Sequence, residues 1–208
     1  MTWMNVASLL VSALLSQAVG EVKEPPVRLT GAAGWSGRYV PGEFTPAWVD
    51  VDNPTSKDKE LLLEVCWAVS SSGQPVSEPT RDGLHGRTGP VHELSLFMPA
   101  RARKRASFVL LAPGGDGLSV WAFAKDVEKD RAAAFAELTL RPVAPGRRLV
   151  AGVGRAKLTG FDALGIDLAA CPADELPEDW RGYASLQALI WLDGRGDEIR
   201  SQAQIDAL

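Results

Sequence analysis

The sequence has few of the residues that build disulfide scaffolds, metal centres or nucleic-acid sites. Only two cysteines and two histidines occur among 208 residues, so a small domain stapled by several disulfides is excluded. The 22 lysines and arginines are outnumbered by 26 aspartates and glutamates, which gives a net charge of −4. A nucleic-acid-binding protein needs a clustered basic face. We therefore expect no nucleic-acid partner.

Long apolar runs are also missing. A membrane-spanning helix needs roughly 20 apolar residues, and the sequence has no apolar run of that length. The sequence has one shorter uncharged run, residues 6–15, and then small residues, Ala18 and Gly20, at the −3 and −1 positions of a cut before Glu21. This pattern predicts a signal peptide over residues 1–20, export to the periplasm or cell envelope, and no later membrane span. The run is preceded by no Lys or Arg, so an N-terminal amphipathic or buried helix is the alternative.

The sequence does contain enough apolar residues for a core, 46% of the total, and they are arranged in short segments. Residues 48–52 alternate apolar and polar side chains, as a half-buried strand does, and Asn53-Pro54 ends that pattern. Residues 70–90 are rich in Ser, Gly and Pro and predict a long surface loop. The other strand-like segments are residues 61–69, 93–98, 106–111, 118–124 and 133–140. Short strands separated by Gly/Pro turns predict an immunoglobulin-like antiparallel β-sandwich over residues 21–145.

The pattern changes after Pro145-Gly146. Predicted strands at residues 148–153, 166–169 and 186–192 precede a predicted helix at residues 198–208, whose apolar face would contain Ile199, Ala203 and Leu208. This order is typical of a parallel α/β layer, similar to the start of a flavodoxin-like fold. We expect residues 146–208 to form a short, incomplete α/β segment, either docked on the sandwich or completed by residues of a larger protein.

Two stretches resemble a known family pattern. Residues 37–46, running into 48–53, contain a Tyr-Val-Pro-Gly turn before a strand that ends at Asn53. Residues 176–183, Leu-Pro-Glu-Asp-Trp-Arg-Gly-Tyr, precede the strand at 186–192. Together they resemble the β-sandwich and the entry to a glutamine-amidotransferase-like α/β domain in large uncharacterised envelope proteins of planctomycete-type bacteria. The resemblance implies that this chain is the N-terminal part of a larger protein, and it carries over no catalytic residue.

The residues that most often perform chemistry do not form a recognisable site. His85 and His92 are seven residues apart, without the i, i+4 spacing of a helical metal pair or a nearby cysteine. Cys66 lies in an apolar strand and Cys171 in a polar segment, and pairing between them is left open. We expect no catalytic residue, no metal site and no cofactor.

Three other motifs have plainer interpretations as structure. Asp50, Asp52 and Asn53 are followed by Pro54 where a calcium loop needs its third ligand, so they predict a strand end. The glycines after the strand at 148–153 lack the third glycine of a dinucleotide fingerprint. The basic run at residues 101–105 contains no aromatic residues for stacking on bases, and predicts a turn and an exposed strand edge.

The seven tryptophans raise the possibility of sugar binding, since flat rings stack on sugar faces. Four lie in strand patterns and predict core positions, namely Trp48, Trp67, Trp121 and Trp191. Trp35 and Trp180 lie in turns and are the candidate ligand platforms.

Our leading interpretation is a non-catalytic exported envelope module that has a structural role or binds protein partners. The alternatives are a carbohydrate-binding module, and a non-catalytic subunit of an amidotransferase-like or hydrolase assembly.

Overall fold

The computed structural model describes residues 26–69, 87–114, 118–154, 159–192, 198–199 and 201–208. The predicted signal peptide lies outside these residues, as do His85 and residues 70–86 of the predicted loop. The strands of the described part are β1 (Arg28–Ala33), β2 (Arg38–Tyr39), β3 (Phe44–Asp52), β4 (Lys59–Val69), β5 (Arg87–Met98), β6 (Arg103–Leu111), β7 (Leu118–Asp126), β8 (Arg131–Thr139), β9 (Arg141–Pro142), β10 (Arg148–Val153), β11 (Ile166–Cys171) and β12 (Ala188–Trp191). Its helices are the α-helix α1 (Gln202–Ala207) and the 3-10 helices Asp162–Leu164, Ala173–Glu175 and Trp180–Tyr183.

Two antiparallel sheets form the predicted immunoglobulin-like sandwich. One sheet has the order β1-β3-β6 and the other β5-β4-β7-β8. Strand β5 begins at Arg87, so the prediction of a loop is wrong for residues 87–90. The strand extends there because β4 continues to pair with it beyond a bulge between Val65 and Trp67. Pro90 is compatible with β5 because β5 is an edge strand, where a missing N–H breaks no ladder.

The main core lies between the two sheets. Alternate residues of β4, including Leu61, Leu63 and Trp67, are almost fully buried there. The opposite face of β4 is also covered, since Cys66 packs in a separate cluster with Trp121 and Phe123 of β7. Strands buried on both faces have dense rather than alternating apolar residues, which explains the composition of residues 61–69. Each large apolar side chain buried in this way contributes about 1.5–3 kcal/mol.

The last third of the described chain contains the predicted parallel sheet, with order β11-β10-β12. One face of this sheet packs on the sandwich. Leu149 and Val153 of β10 share a cluster with Trp35, which precedes β2, and with Val143, which follows β9. The α/β segment is therefore docked on the sandwich through a common apolar cluster, which we call the junction core.

Two predictions about the α/β segment are wrong. Helix α1 has six residues, and it buries Gln204 rather than an apolar stripe, whereas Ala203 and Leu208 are exposed. Ile199 does pack against the junction core, but it lies outside the helix. Gln204 is buried because its Nε2 donates to the Leu176 carbonyl at 2.7 Å. Trp191 was predicted in the core, but it is 40% exposed because β12 is an edge strand. The other three strand tryptophans are buried as predicted.

Candidate functional site at the junction

The two tryptophans predicted as ligand platforms have opposite environments. Trp35 is 1% exposed, so its ring is not available to a ligand and the prediction is wrong for this residue. It opens a tight turn in which Trp35 and Arg38 exchange backbone hydrogen bonds of 2.9 and 3.0 Å across Ser36 and Gly37, both at positive φ. The turn directs the indole into the junction core, 5.7 Å from the Tyr183 ring.

Trp180 is 69% exposed, so a ligand can reach its indole. It begins the 3-10 helix Trp180–Tyr183, whose N-cap Asp179 accepts a hydrogen bond from the Arg181 backbone N–H at 2.9 Å. The Arg181 guanidinium also pairs with the Asp179 carboxylate, and this hydrogen bonding lowers the pKa of Asp179 below its usual value. The capped turn fixes the backbone from which Trp180 projects.

The other residues of the same turn anchor it to the sandwich. The Arg181 guanidinium lies 5.7 Å from the centre of the Phe44 ring on β3, within range of a cation–π contact. Gly182 is buried, and a Cβ built there would lie 2.6 Å from the Pro177 Cβ, so only glycine fits. The Tyr183 hydroxyl donates to the Pro177 carbonyl at 3.0 Å. The sequence Trp-Arg-Gly-Tyr thus directs one aromatic ring outward and the other into the junction core.

An open groove of about 560 Å³ adjoins Trp180 and separates it from α1. Its apolar surface comes from Trp180 and from Ala203 and Ala207 of α1. Its charged lining is Glu178, Asp179, Arg181 and Asp206. The carboxylate of Glu178 accepts a hydrogen bond from the Ser201 hydroxyl at 2.7 Å, and that of Asp206 from the Gln202 side chain at 2.7 Å. An exposed ring beside oriented carboxylates can contact an apolar or sugar surface and accept hydrogen bonds from its hydroxyl or amide groups.

The junction also contains a network of ion pairs that join residues distant in sequence. Asp167 of β11 accepts hydrogen bonds at the same oxygen, Oδ1, from Arg38 of β2 and from Arg147. Arg147 also donates to Asp162 at 2.6 Å. Partial burial alone would raise the pKa of Asp167, but the hydrogen bonds and charges of Arg147 and Arg38 together outweigh burial and lower this pKa below its usual value. No motif in the sequence indicated this network, because its members come from three separate segments.

Both cysteines are described, and both are thiols in separate clusters. Cys66 is buried on the outer face of β4, whereas Cys171 ends β11 in the junction core. The Cys171 thiol donates to the Pro172 carbonyl at 3.3 Å. Burial raises the pKa of Cys171 to about 12, and the charges of Glu175 and Asp174 add to that effect. At neutral pH this thiol is protonated and is a poor nucleophile.

The polar residues singled out near β3 have structural roles. Asn53 is buried, and its Nδ2 donates to the carbonyls of Lys57, Met98 and Pro99 at 2.9, 3.2 and 2.9 Å. Its Oδ1 accepts from the Thr55 hydroxyl at 2.7 Å. Asn53 therefore joins the end of β3 to the β5–β6 turn. This segment is a strand end, as predicted, and not a calcium loop.

The basic run occupies the start of the edge strand β6, as predicted. Arg103 and Arg105 both pair with Asp50 on the neighbouring strand, at 3.1 and 2.9 Å. Lys104 donates to the Phe97 carbonyl at 2.6 Å. His92 lies on β5, and no group of three or more metal-ligating side chains occurs among the residues for which coordinates are described. Within the same part of the chain, no helix is long and apolar enough to cross a bilayer.

No family model matches the chain, and no curated protein matches it. Several solved structures are similar at low identity. The CARDB domain from Pyrococcus furiosus is 11% identical with a TM-score of 0.34, over 56% of this chain and 93% of that domain. The alkylpurine DNA glycosylase AlkC of Pseudomonas fluorescens, bound to DNA, is 11% identical with a TM-score of 0.34, over 56% of this chain and 30% of the enzyme. Red sea bream transglutaminase is 16% identical with a TM-score of 0.34, over 70% of this chain and 21% of the enzyme. The chain thus spans less than a third of either enzyme's length, and their activities are not carried over to it.

Proposed function

We propose that this protein is a non-catalytic, exported module of the cell envelope that binds a protein partner through the surface around Trp180. The observation that carries the proposal is a 69% exposed indole on a turn that is held in place by its neighbours. Tyr183 packs in the junction core, and the Arg181 guanidinium lies against the Phe44 ring of the sandwich. Tryptophan and arginine are enriched among the residues that dominate binding energy at protein interfaces. A rigid turn also reduces the entropy that is lost when a partner binds.

A non-catalytic role is supported by the state of the groups that are most able to react. The Cys171 thiol is buried, and its pKa of about 12 leaves almost no thiolate at neutral pH. The carboxylates of the Trp180 groove are engaged by Arg181, Ser201 and Gln202. A general acid or base needs a pKa near the working pH and a free path to a substrate proton. These groups serve better as recognition elements.

The cellular setting of the proposal comes from the sequence. The uncharged run at residues 6–15 and the small residues before Glu21 favour secretion with cleavage after Gly20. The resemblance of residues 176–183 to the entry of an amidotransferase-like α/β domain in planctomycete-type envelope proteins supports a parallel sheet that belongs to a larger α/β domain. In that setting the module would attach its partner protein to the rest of a larger assembly.

The test of partner binding is site-specific photo-crosslinking in the native host. A photoreactive amino acid at position 180 is expected to give a discrete adduct with an envelope protein. The matched control is position 164, where Leu164 is 72% exposed but outside the Trp180 groove. Absence of an adduct from position 180, or the same adduct from both positions, would contradict the proposal. The mass of the secreted protein tests export separately, with Glu21 as the expected first residue.

Carbohydrate binding is the second candidate function, because the Trp180 ring lies beside three carboxylates. A glycan array is the direct test. Binding that is lost in Trp180→Ala and kept in Leu164→Ala would favour this function over protein recognition. An array on which the unaltered protein shows no signal would exclude the glycans displayed.

A further inference from the structure

A second groove, of about 580 Å³, lies at the junction of the sandwich and the parallel sheet, and Trp180 is not among the residues that line it. It is lined by Arg38 of β2 and Arg141 of β9 from the sandwich side, and by Arg147 and Asp167 from the start of the parallel sheet. Three guanidinium groups therefore line one cavity together with a single carboxylate. The whole chain has a net charge of −4, so this local excess of positive charge is not a consequence of overall composition.

Backbone pairing places two of these arginines side by side. Strands β2 and β9 are parallel, and Arg38 is in register with Arg141. Partners in register lie on the same face of a sheet, where like charges directly opposite each other repel. Such an arrangement is less favourable unless an anion lies between or above the two cations.

Asp167, together with Asp162 outside the groove lining, offsets two of the three positive charges. Its Oδ1 already accepts hydrogen bonds from both Arg38 and Arg147. Arg147 is further fixed by Asp162 and by the Ile166 carbonyl, at 2.6 and 3.1 Å. For Arg141, by contrast, no carboxylate of the described residues lies within 4 Å. The two paired guanidiniums are thus pre-positioned, and the third has its hydrogen-bond donors available.

We propose that this groove, the arginine groove, binds a tetrahedral oxyanion of the phosphate or sulfate class, with Arg141 as its principal hydrogen-bond donor. Arginine presents several N–H donors in a planar fork that matches the spacing of phosphate oxygens. Arg38 and Arg147 supply further positive charge from fixed positions. The oxyanion is either a free ion or a phosphate monoester on a larger molecule.

The test is isothermal titration calorimetry of the purified protein with inorganic phosphate, sulfate and methyl phosphate. Arg141→Gln is expected to weaken binding at least about tenfold, since hydrogen bonds to charged groups are the strong ones. Arg141 makes no ion pair within the described protein, so this variant is expected to keep its thermal stability. The control is Arg131→Gln, which removes the same charge from an exposed position on β8 and is expected to bind as the unaltered protein does.

The comparison of ligands identifies the source of the anion. Methyl phosphate that binds as well as phosphate indicates a monoester on a larger molecule, because the site then has room for a substituent. Methyl phosphate that binds at least about tenfold more weakly indicates a free ion. Both results support the site. No detectable binding of any of the three anions, or equal loss in the Arg141 and Arg131 variants, would overturn it.

Discussion

At the scale of single residues, identical side chains have different roles because of contacts far away in sequence. Trp35 and Trp180 both lie in turns, but Trp35 is buried against Tyr183 and Trp180 is exposed. Local sequence predicts a turn around each of them. It does not predict which ring finds a partner almost 150 residues away. The surface of the molecule is therefore set by side chains that tertiary contacts leave uncovered.

The two tryptophans give a matched pair of variants. Trp35→Ala is expected to lower the free energy of unfolding by about 3–5 kcal/mol, because it leaves a cavity in the junction core. Trp180→Ala is expected to change it by less than about 0.5 kcal/mol, as exposed substitutions usually do. Urea unfolding followed by circular dichroism measures both values. Similar losses in the two variants would contradict the burial described for Trp35.

Asn53 provides a second test at this scale. Asn53→Asp replaces a buried amide donor by a carboxylate facing the carbonyls of Lys57, Met98 and Pro99. We expect a loss of about 3 kcal/mol, because a buried donor is removed and a charge is placed near acceptors. Ser107→Ala, at an exposed position on β6, is the control and is expected to be neutral in the same unfolding assay. A stable Asn53→Asp protein would show that this amide does not organise the turn.

Cys171 gives stability a specific dependence on pH. Its pKa is about 12 in the folded protein against an ordinary value of 9.0. Between these values the unfolded chain loses the thiol proton while the folded chain keeps it, so stability falls as pH rises through the window. The slope reaches at most about 1.4 kcal/mol per pH unit. Unfolding measured at pH 8 and pH 10 should show this decline in the unaltered protein and a smaller one in Cys171→Ala. Equal declines in the unaltered protein and in Cys171→Ala would contradict the raised pKa of Cys171.

At the scale of elements, strands with a strong local pattern were predicted and those defined by pairing were not. The dense apolar run of β4 and the alternation in β3 are visible in the sequence because each strand has a buried face. Strands β2 and β9 have two residues each and exist only because they pair with one another. The arginine groove was not predicted for the same reason, since its charged side chains come from β2, β9, β11 and the residue that precedes β10. The Trp180 turn was predicted as a turn, but its anchoring by Gly182 and Tyr183 required the structure.

Gly182 tests the anchoring of that turn. Gly182→Ala would bring a Cβ to within 2.6 Å of Pro177, so the turn must shift, and we expect a loss of about 1–3 kcal/mol of stability. Gly114→Ala is the control, because no atom lies within 4 Å of its Cβ position. Thermal unfolding measures both. An unchanged melting temperature for Gly182→Ala would show that the turn is not packed as described.

At the scale of the whole molecule, the sandwich and the parallel sheet share the junction core, and we expect them to unfold as one cooperative unit. Both candidate binding surfaces depend on the junction core. The Trp180 turn contacts Phe44 of the sandwich, and the arginine groove combines residues of the sandwich with Asp167 of the parallel sheet. The sequence predicted a change of structural type near Pro145 and gave docking on the sandwich as one of two alternatives, but it did not predict which residues form the shared cluster. The proposed functions require that these parts keep a fixed relative position.

Native-state hydrogen exchange of the protein tests this shared core most directly. The amides of β4 in the sandwich and of β10 in the parallel sheet are expected to open with free energies within about 1 kcal/mol of each other, as members of one cooperative unit. In Trp35→Ala both values should fall together. If the β10 amides exchange through a separate opening several kcal/mol below that of β4, and Trp35→Ala leaves β4 unaffected, the two parts are independent and the account is contradicted.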